Sequence, residues 1–194
     1  MKKTTFLICS IIASMSLIQA QSKKHEIVAG YGTIVHYDVK EVTVNLAVTI
    51  VSVGYVNTVY KNGSGTFFAG YRFTPDPKVT IGIEGGYHKI DQEAWSQEEF
   101  LGTLTREYYI IAGLANFNYV RKPSFQMYSG LAFGYAFQDI HYIPIEGEEE
   151  FENPGKMAFH INAIGFRFGK SVGGFLELGY GYKGVINFGF SLKL

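Results

Sequence analysis

Histidines, carboxylates and arginines are the groups in this sequence with the chemistry to act on a ligand, and their spacing limits what they can do. His160 and Asn162 stand two apart in Phe159-His160-Ile161-Asn162-Ala163. On an extended chain such residues share a face. A histidine paired with a serine supplies a base and a nucleophile, but an asparagine amide cannot attack an ester. His36, His88 and His141 are far apart in sequence and show no local metal-ligand spacing. Carboxylates gather in two stretches: Asp91, Glu93, Glu98 and Glu99, then Glu146, Glu148, Glu149, Glu150 and Glu152. Oxygen-rich runs suit Ca²⁺ or Mg²⁺. The fixed spacing of a calcium loop is absent, so solvated, charged loops are the expectation. No catalytic residue, no metal and no cofactor is expected.

A second set of charges, Arg72, Glu84, Arg167 and Glu177, falls inside stretches that alternate apolar and polar residues, and those stretches must position it. Phe67, Ala69, Tyr71 and Phe73 oppose Thr66, Gly70 and Arg72; Val79, Ile81, Ile83 and Tyr87 oppose Thr80, Gly82, Glu84, Gly86 and His88. Phe125, Met127, Leu131, Phe133, Tyr135 and Phe137 oppose Gln126, Gly130, Ala132, Gly134, Ala136 and Gln138, and the final residues Ile186 to Leu194 alternate without error. Period-two alternation marks strands with one apolar and one polar face. Eight such segments are predicted, near 26–37, 64–74, 78–90, 105–121, 125–143, 156–169, 173–183 and 186–194. Pro75-Asp76-Pro77, residues 121–124 and residues 170–172 read as tight turns, and 38–63, 91–104 and 144–155 as longer loops. No period dominates Val42 to Val56, and its conformation stays open.

Short turns at one rim and long loops at the other describe an antiparallel up-and-down β-barrel of eight strands crossing a membrane, with aromatic residues toward lipid. The inward set then contains Arg72, Glu84, Arg167, Glu177 and Lys193. A lone buried charge is very costly, so an interior ion-pair network is expected, with Arg72 and Arg167 facing Glu84 and Glu177. A barrel of eight strands has just enough interior for side chains to fill, which predicts a packed polar interior and no open pore.

The bulk properties agree with export to an envelope. Met1-Lys2-Lys3 followed by the apolar run Phe6 to Ile18 and Ala20 reads as a signal peptide over 1–20, leaving 21–194 as one barrel domain. Cys9, the sole cysteine, lies in that leader, so no disulfide is available to the rest. The 17 basic and 17 acidic residues balance over the whole chain, and without Lys2 and Lys3 the charge is −2. No basic excess points to nucleic acid. No later stretch reaches the roughly 20 apolar residues of a spanning helix. The 14 Tyr, 16 Phe and 23 Gly fit a small barrel, with aromatics at the lipid boundary and glycine where the sheet curves.

Three segments, Tyr128-Ser129-Gly130-Leu131-Ala132-Phe133-Gly134-Tyr135, Ala163-Ile164-Gly165-Phe166-Arg167-Phe168-Gly169-Lys170 and Phe175-Leu176-Glu177-Leu178-Gly179-Tyr180-Gly181-Tyr182-Lys183-Gly184, resemble the small outer-membrane β-barrel proteins common in Bacteroidetes. These are similar to OmpA/OmpX-type barrels. The likeness runs from about residue 64 to the end and implies a Gram-negative outer-membrane location with no assigned activity. Many such barrels end in Phe, read by the barrel-assembly machinery; this chain ends in Leu194, and assembly by that route remains the expectation. The His160 segment is loosely similar to the His-x-Ser-Asn segment of lipid A deacylases, with Asn162 where their serine stands. On an unbroken strand His160 and Asn162 share the lipid-facing side of Ile164, Phe166 and Phe168 near the outer rim, where polar residues at headgroup level are ordinary.

The resulting expectation is a monomeric, non-enzymatic outer-membrane barrel, structural or surface-interacting through its outer loops, with membrane lipids and lipopolysaccharide around it. Two alternatives remain: a lipid A-modifying enzyme, and a soluble exported lipocalin-like carrier with its apolar face inward.

Overall fold

The computed structural model describes residues 24–35, 37, 57–96, 99–145 and 148–194. The expected leader at 1–20, His36, and the segment Val42 to Val56 lie outside the described residues. Nine strands follow in order: β1 (His25–Thr33), β2 (Asn57–Asp76), β3 (Val79–Ser96), β4 (Glu99–Lys122), β5 (Phe125–Pro144), β6 (Glu150–Glu152), β7 (Gly155–Gly169), β8 (Val172–Gly181) and β9 (Ile186–Lys193). All pairings are antiparallel between neighbours, and β1 pairs with both β2 and β9, closing a ring of eight strands. β6 stands outside the ring and pairs with β5 above β7. The protein is an all-β barrel of eight antiparallel strands.

Closure follows from register. Ile27 sits opposite Tyr71 on one side and Leu192 on the other, so the outward phase of β1 matches both neighbours. A shift of one residue would invert every side chain on that strand. Large apolar side chains are exposed on all eight ring strands: Ile27, Phe67, Ile83, Ile111, Leu131, Ile161, Leu176 and Phe190. The charged residues between them turn in, with Arg72, Glu84, Arg167 and Glu177 each at most 4% exposed. Toward the loop rim the interior becomes apolar, where Val35, Tyr37, Ile90, Tyr108 and Tyr182 share one buried cluster. Tyr37 stacks on Tyr108 at 4.4 Å between ring centres.

Two expectations about element limits are corrected. Residues 91–104 are not a loop: β3 and β4 stay paired from Val79–Phe117 up to Ser96–Glu99. Likewise 57–63 belongs to β2, paired with β3. Strands β2 to β5 run 18 to 24 residues, whereas β1, β8 and β9 run 8 to 10. The barrel therefore carries one tall wall above a low rim. The polar residues Lys89, Asp91 and Glu93 hid this continuation because they interrupt the apolar outward face without breaking the backbone ladder.

The third correction concerns β7. His160, Asn162, Ile164, Phe166 and Phe168 were expected on one face, yet a register shift between Asn162 and Ile164 breaks the phase. A bulge adds one residue to one strand of a pair and resets which way later side chains point. His160 and Asn162 consequently turn inward, 1% and 4% exposed, while Phe168 faces out.

Candidate functional site

The interior charges are positioned by facing strands. β2 brings Arg72 across the barrel to Glu177 on β8, with 3.0 Å between guanidinium and carboxylate. The same Glu177 oxygen accepts a hydrogen bond from the Tyr128 hydroxyl of β5 at 2.7 Å. Its other oxygen meets the Lys183 ammonium at 3.2 Å. Lys183 also reaches Glu84 on β3 at 3.1 Å, and the Tyr182 hydroxyl donates to Glu84. Lys183 belongs to the turn between β8 and β9, where Gly181 and Gly184 take φ of 141° and 98°. Those left-handed values, which L side chains resist, turn Lys183 into the barrel.

Arg167 is held elsewhere. Its Nε donates to Glu26 of β1 at 2.6 Å and to the Ser191 hydroxyl of β9 at 2.7 Å. Its terminal nitrogens donate to the carbonyls of Gly169, Lys170 and Ser171, tying down the β7–β8 turn. The expected pairing of Arg167 with Glu84 or Glu177 is therefore replaced by Glu26, and the cation of Glu84 is Lys183. Glu26 was legible, since the outward phase Ile27, Ala29, Tyr31 puts it inward. Lys183, beyond the end of β8, carried no periodic signal. Lys193 is 9% exposed and inward.

The histidines do not converge. His88 is buried, with Nδ1 2.8 Å from the Gly65 carbonyl, while His25 and Tyr71 form a hydrogen bond on the outer surface. His160 lies inside the barrel beside Asn187, 3.4 Å away. This interior position corrects the expected placing at the lipid-facing rim. Among the described residues no three His, Cys, Asp or Glu side chains are arranged to hold a metal.

The outer surface of the tall wall carries a second ordered set. Tyr87, Tyr109 and Phe137 form one cross-strand rung; above it Lys89, Glu107 and Asp139 form the next, and Asp91, Thr105, His141 and Phe151 the one after. The Tyr87 and Tyr109 hydroxyls donate to Glu107 at 2.9 Å each, and the Lys89 ammonium lies 3.2 Å from Asp91. Higher still, the exposed Lys61 ammonium binds the half-buried Glu93 carboxylate and holds it below the usual carboxylate range.

No protein-family model matches the chain, and no curated protein matches it. Among solved structures the chain is similar to Ail, the attachment invasion locus protein of Yersinia pestis. The two are 14% identical, with 88% of this chain and 96% of that one covered and a TM-score of 0.41. That likeness is remote, and the closed ring itself defines the fold. Phe67, Phe133, Phe137, Phe168, Phe188 and Phe190 stand outside while the Arg72–Glu177 and Arg167–Glu26 pairs lie inside, the reverse of a carrier barrel that holds an apolar ligand in its lumen.

Proposed function

We propose that this chain is an integral outer-membrane barrel, monomeric and without an open pore, that acts as a structural or surface-interaction protein through its tall loop-side wall. The observation carrying this reading is the band of exposed Ile, Leu, Phe and Tyr on every ring strand. Soluble monomers rarely expose a contiguous apolar patch beyond a few hundred Å², and here the band encircles the molecule. On β5 the outward apolar face runs from Phe125 to Phe137, long enough for the roughly 9–11 residues of a tilted spanning strand. The rung Tyr87–Tyr109–Phe137 then forms an aromatic girdle at the outer interface. Ion pairs and buried aromatics fill the interior, which supports a closed lumen.

In this reading the partners are outer-membrane lipids, lipopolysaccharide and the barrel-assembly machinery, and no residue has a catalytic role. Cell fractionation followed by vesicle flotation tests the location: recovery in the membrane fraction is expected, and a detergent-free soluble pool would overturn it. Lipid A deacylation by the purified protein, compared with His160→Ala, tests the absence of catalysis. Turnover that depends on His160 would refute it.

A further inference from the structure

A cleft of about 520 Å³ opens on the outside of the tall wall, lined by Lys89, Thr105, Glu107, Asp139, His141 and Phe151, among others. Small-molecule sites fall at about 300–1,000 Å³. Its floor is the rung Lys89–Glu107–Asp139, one step above the girdle, and β6 builds its upper wall by placing Phe151 opposite His141. The Phe151 ring meets the imidazole edge-on at 3.8 Å yet remains 59% exposed, so one aromatic face is fixed and free.

Glu107 and Asp139 lie directly opposite each other, an arrangement that destabilises a sheet when both carry charge. Tertiary contacts support it: two tyrosine hydroxyls orient Glu107, and the Asn153 side-chain amide lies beside Asp139, where its nitrogen can donate to the carboxylate once the amide is turned. A local rule broken and then propped is the pattern of a functional site rather than of a stabilising surface. The lining has two carboxylates, Glu107 and Asp139, against the single ammonium of Lys89, which is itself paired with Asp91 outside the cleft, so phosphate and other anions are disfavoured. Paired acceptors beside a flat ring, with hydroxyl and amide groups at the edge, match a ring rich in hydroxyl donors.

We propose that this cleft binds a neutral or amine-bearing pyranose sugar, its apolar face on Phe151 and its hydroxyls donating to Glu107 and Asp139. The proposal rests on the membrane reading above, which sets the cleft at headgroup height, facing sugars of the membrane or of the medium.

The test uses the full mature chain in nanodiscs of phosphatidylethanolamine and phosphatidylglycerol, titrated with methyl β-D-glucopyranoside and followed by backbone amide NMR. Saturable shifts are expected at Thr105, His141 and Phe151, with none at Gly134 below the girdle. Phe151→Ala is expected to weaken binding by about tenfold, near the upper end for one lost aromatic contact. Glu107→Gln, which keeps the side-chain volume, is expected to weaken it too, with an otherwise unchanged spectrum for both variants. A second arm replaces the free sugar by monoglucosyl-diacylglycerol in the disc. Shifts there assign the sugar to a membrane glycolipid, and shifts with free sugar alone assign it to an external glycan. A chain that inserts but shows no saturable shift in either arm, or binds equally well as Phe151→Ala, overturns the cleft alone. A chain that does not insert overturns the membrane reading and this proposal with it.

Discussion

Glu177 is the acceptor at the centre of the barrel, and removing it has a calculable cost. Its carboxylate takes Arg72 at 3.0 Å, Tyr128 at 2.7 Å and Lys183 at 3.2 Å, with all four side chains buried. Glu177→Leu removes the carboxylate in ion-pair contact with Arg72 and leaves it only the longer-range charges of Glu26 and Glu84, while Lys183 keeps Glu84 at 3.1 Å. Deleting one partner of a buried pair costs about 3–5 kcal/mol because the other charge is stranded. Deleting both, in Arg72→Met with Glu177→Leu, returns the cluster to balance as Lys183–Glu84, and swapping a buried pair for apolar residues is often neutral or better. The double variant should therefore lose less stability than Glu177→Leu alone, with a coupling energy of about 1–3 kcal/mol between the two sites. Urea unfolding in detergent micelles, scored by the heat-dependent gel mobility of the folded barrel, measures it. With a slope of about 1–3 kcal/mol per molar, the single variant should shift the midpoint by at least about 1 M. A Glu177→Leu midpoint within error of wild type, or additive losses in the double variant, would refute the network as a unit.

Other consequences concern the faces and turns. Leu131→Arg, at a position 63% exposed in the middle of the apolar band, should destabilise the barrel in bilayers by about 2–4 kcal/mol. Ile143→Arg, above the girdle and similarly exposed, should cost about 0–1 kcal/mol; equal costs from lipid-vesicle unfolding would misplace the interface. Gly32→Ala should block efficient refolding, because a Cβ there would overlap the Lys183 carbonyl of the inward turn, and a wild-type yield on gels would contradict that close approach. For Glu93, Lys61 lowers the folded-state carboxyl below its ordinary 4.5. Its small contribution is present above pH 4.5 and lost as pH falls through the folded value. The difference between wild type and Glu93→Gln should thus vanish in acid, and a difference that grows on acidification would be the wrong sign.

How much of this was legible in the chain depends on whether one strand or two carried the information. Inward and outward faces are a property of a single strand, so β2, β3, β5 and β9 could be read from alternation alone, and with β2 and β3 the inward placing of Arg72 and Glu84. Local alternation at the end of β7 and along β8 did the same for Arg167 and Glu177. Partners depend on register, which only the neighbour supplies. Arg167 meets Glu26 because closure sets Glu26 beside Lys193 and Arg72, and because β9 brings Ser191 to the same guanidinium. No period within β7 holds that fact. The β7 bulge is the sharper case. Ala163 adds one residue between Asn162 and Ile164, and a reading that extends one phase through it moves His160 from interior to surface. The same residue pair then changes meaning, from a polar dyad accessible to lipid to a buried imidazole beside Asn187.

The tall wall escaped for a related reason. Alternation of apolar with polar residues detects strands only where one face is apolar, yet the ladder of β3 and β4 continues through Lys89–Glu107, Asp91–Thr105 and Glu93–Thr103, where the outer face is polar. Backbone pairing needs no apolar side chain; only burial in lipid does. The position where the alternation stops is therefore the edge of the apolar band rather than the end of the strand. That is why the first polar rung, with Glu107 opposite Asp139, is both the boundary of the bilayer in the proposed reading and the floor of the cleft, where the Tyr87 and Tyr109 hydroxyls hold Glu107 in place.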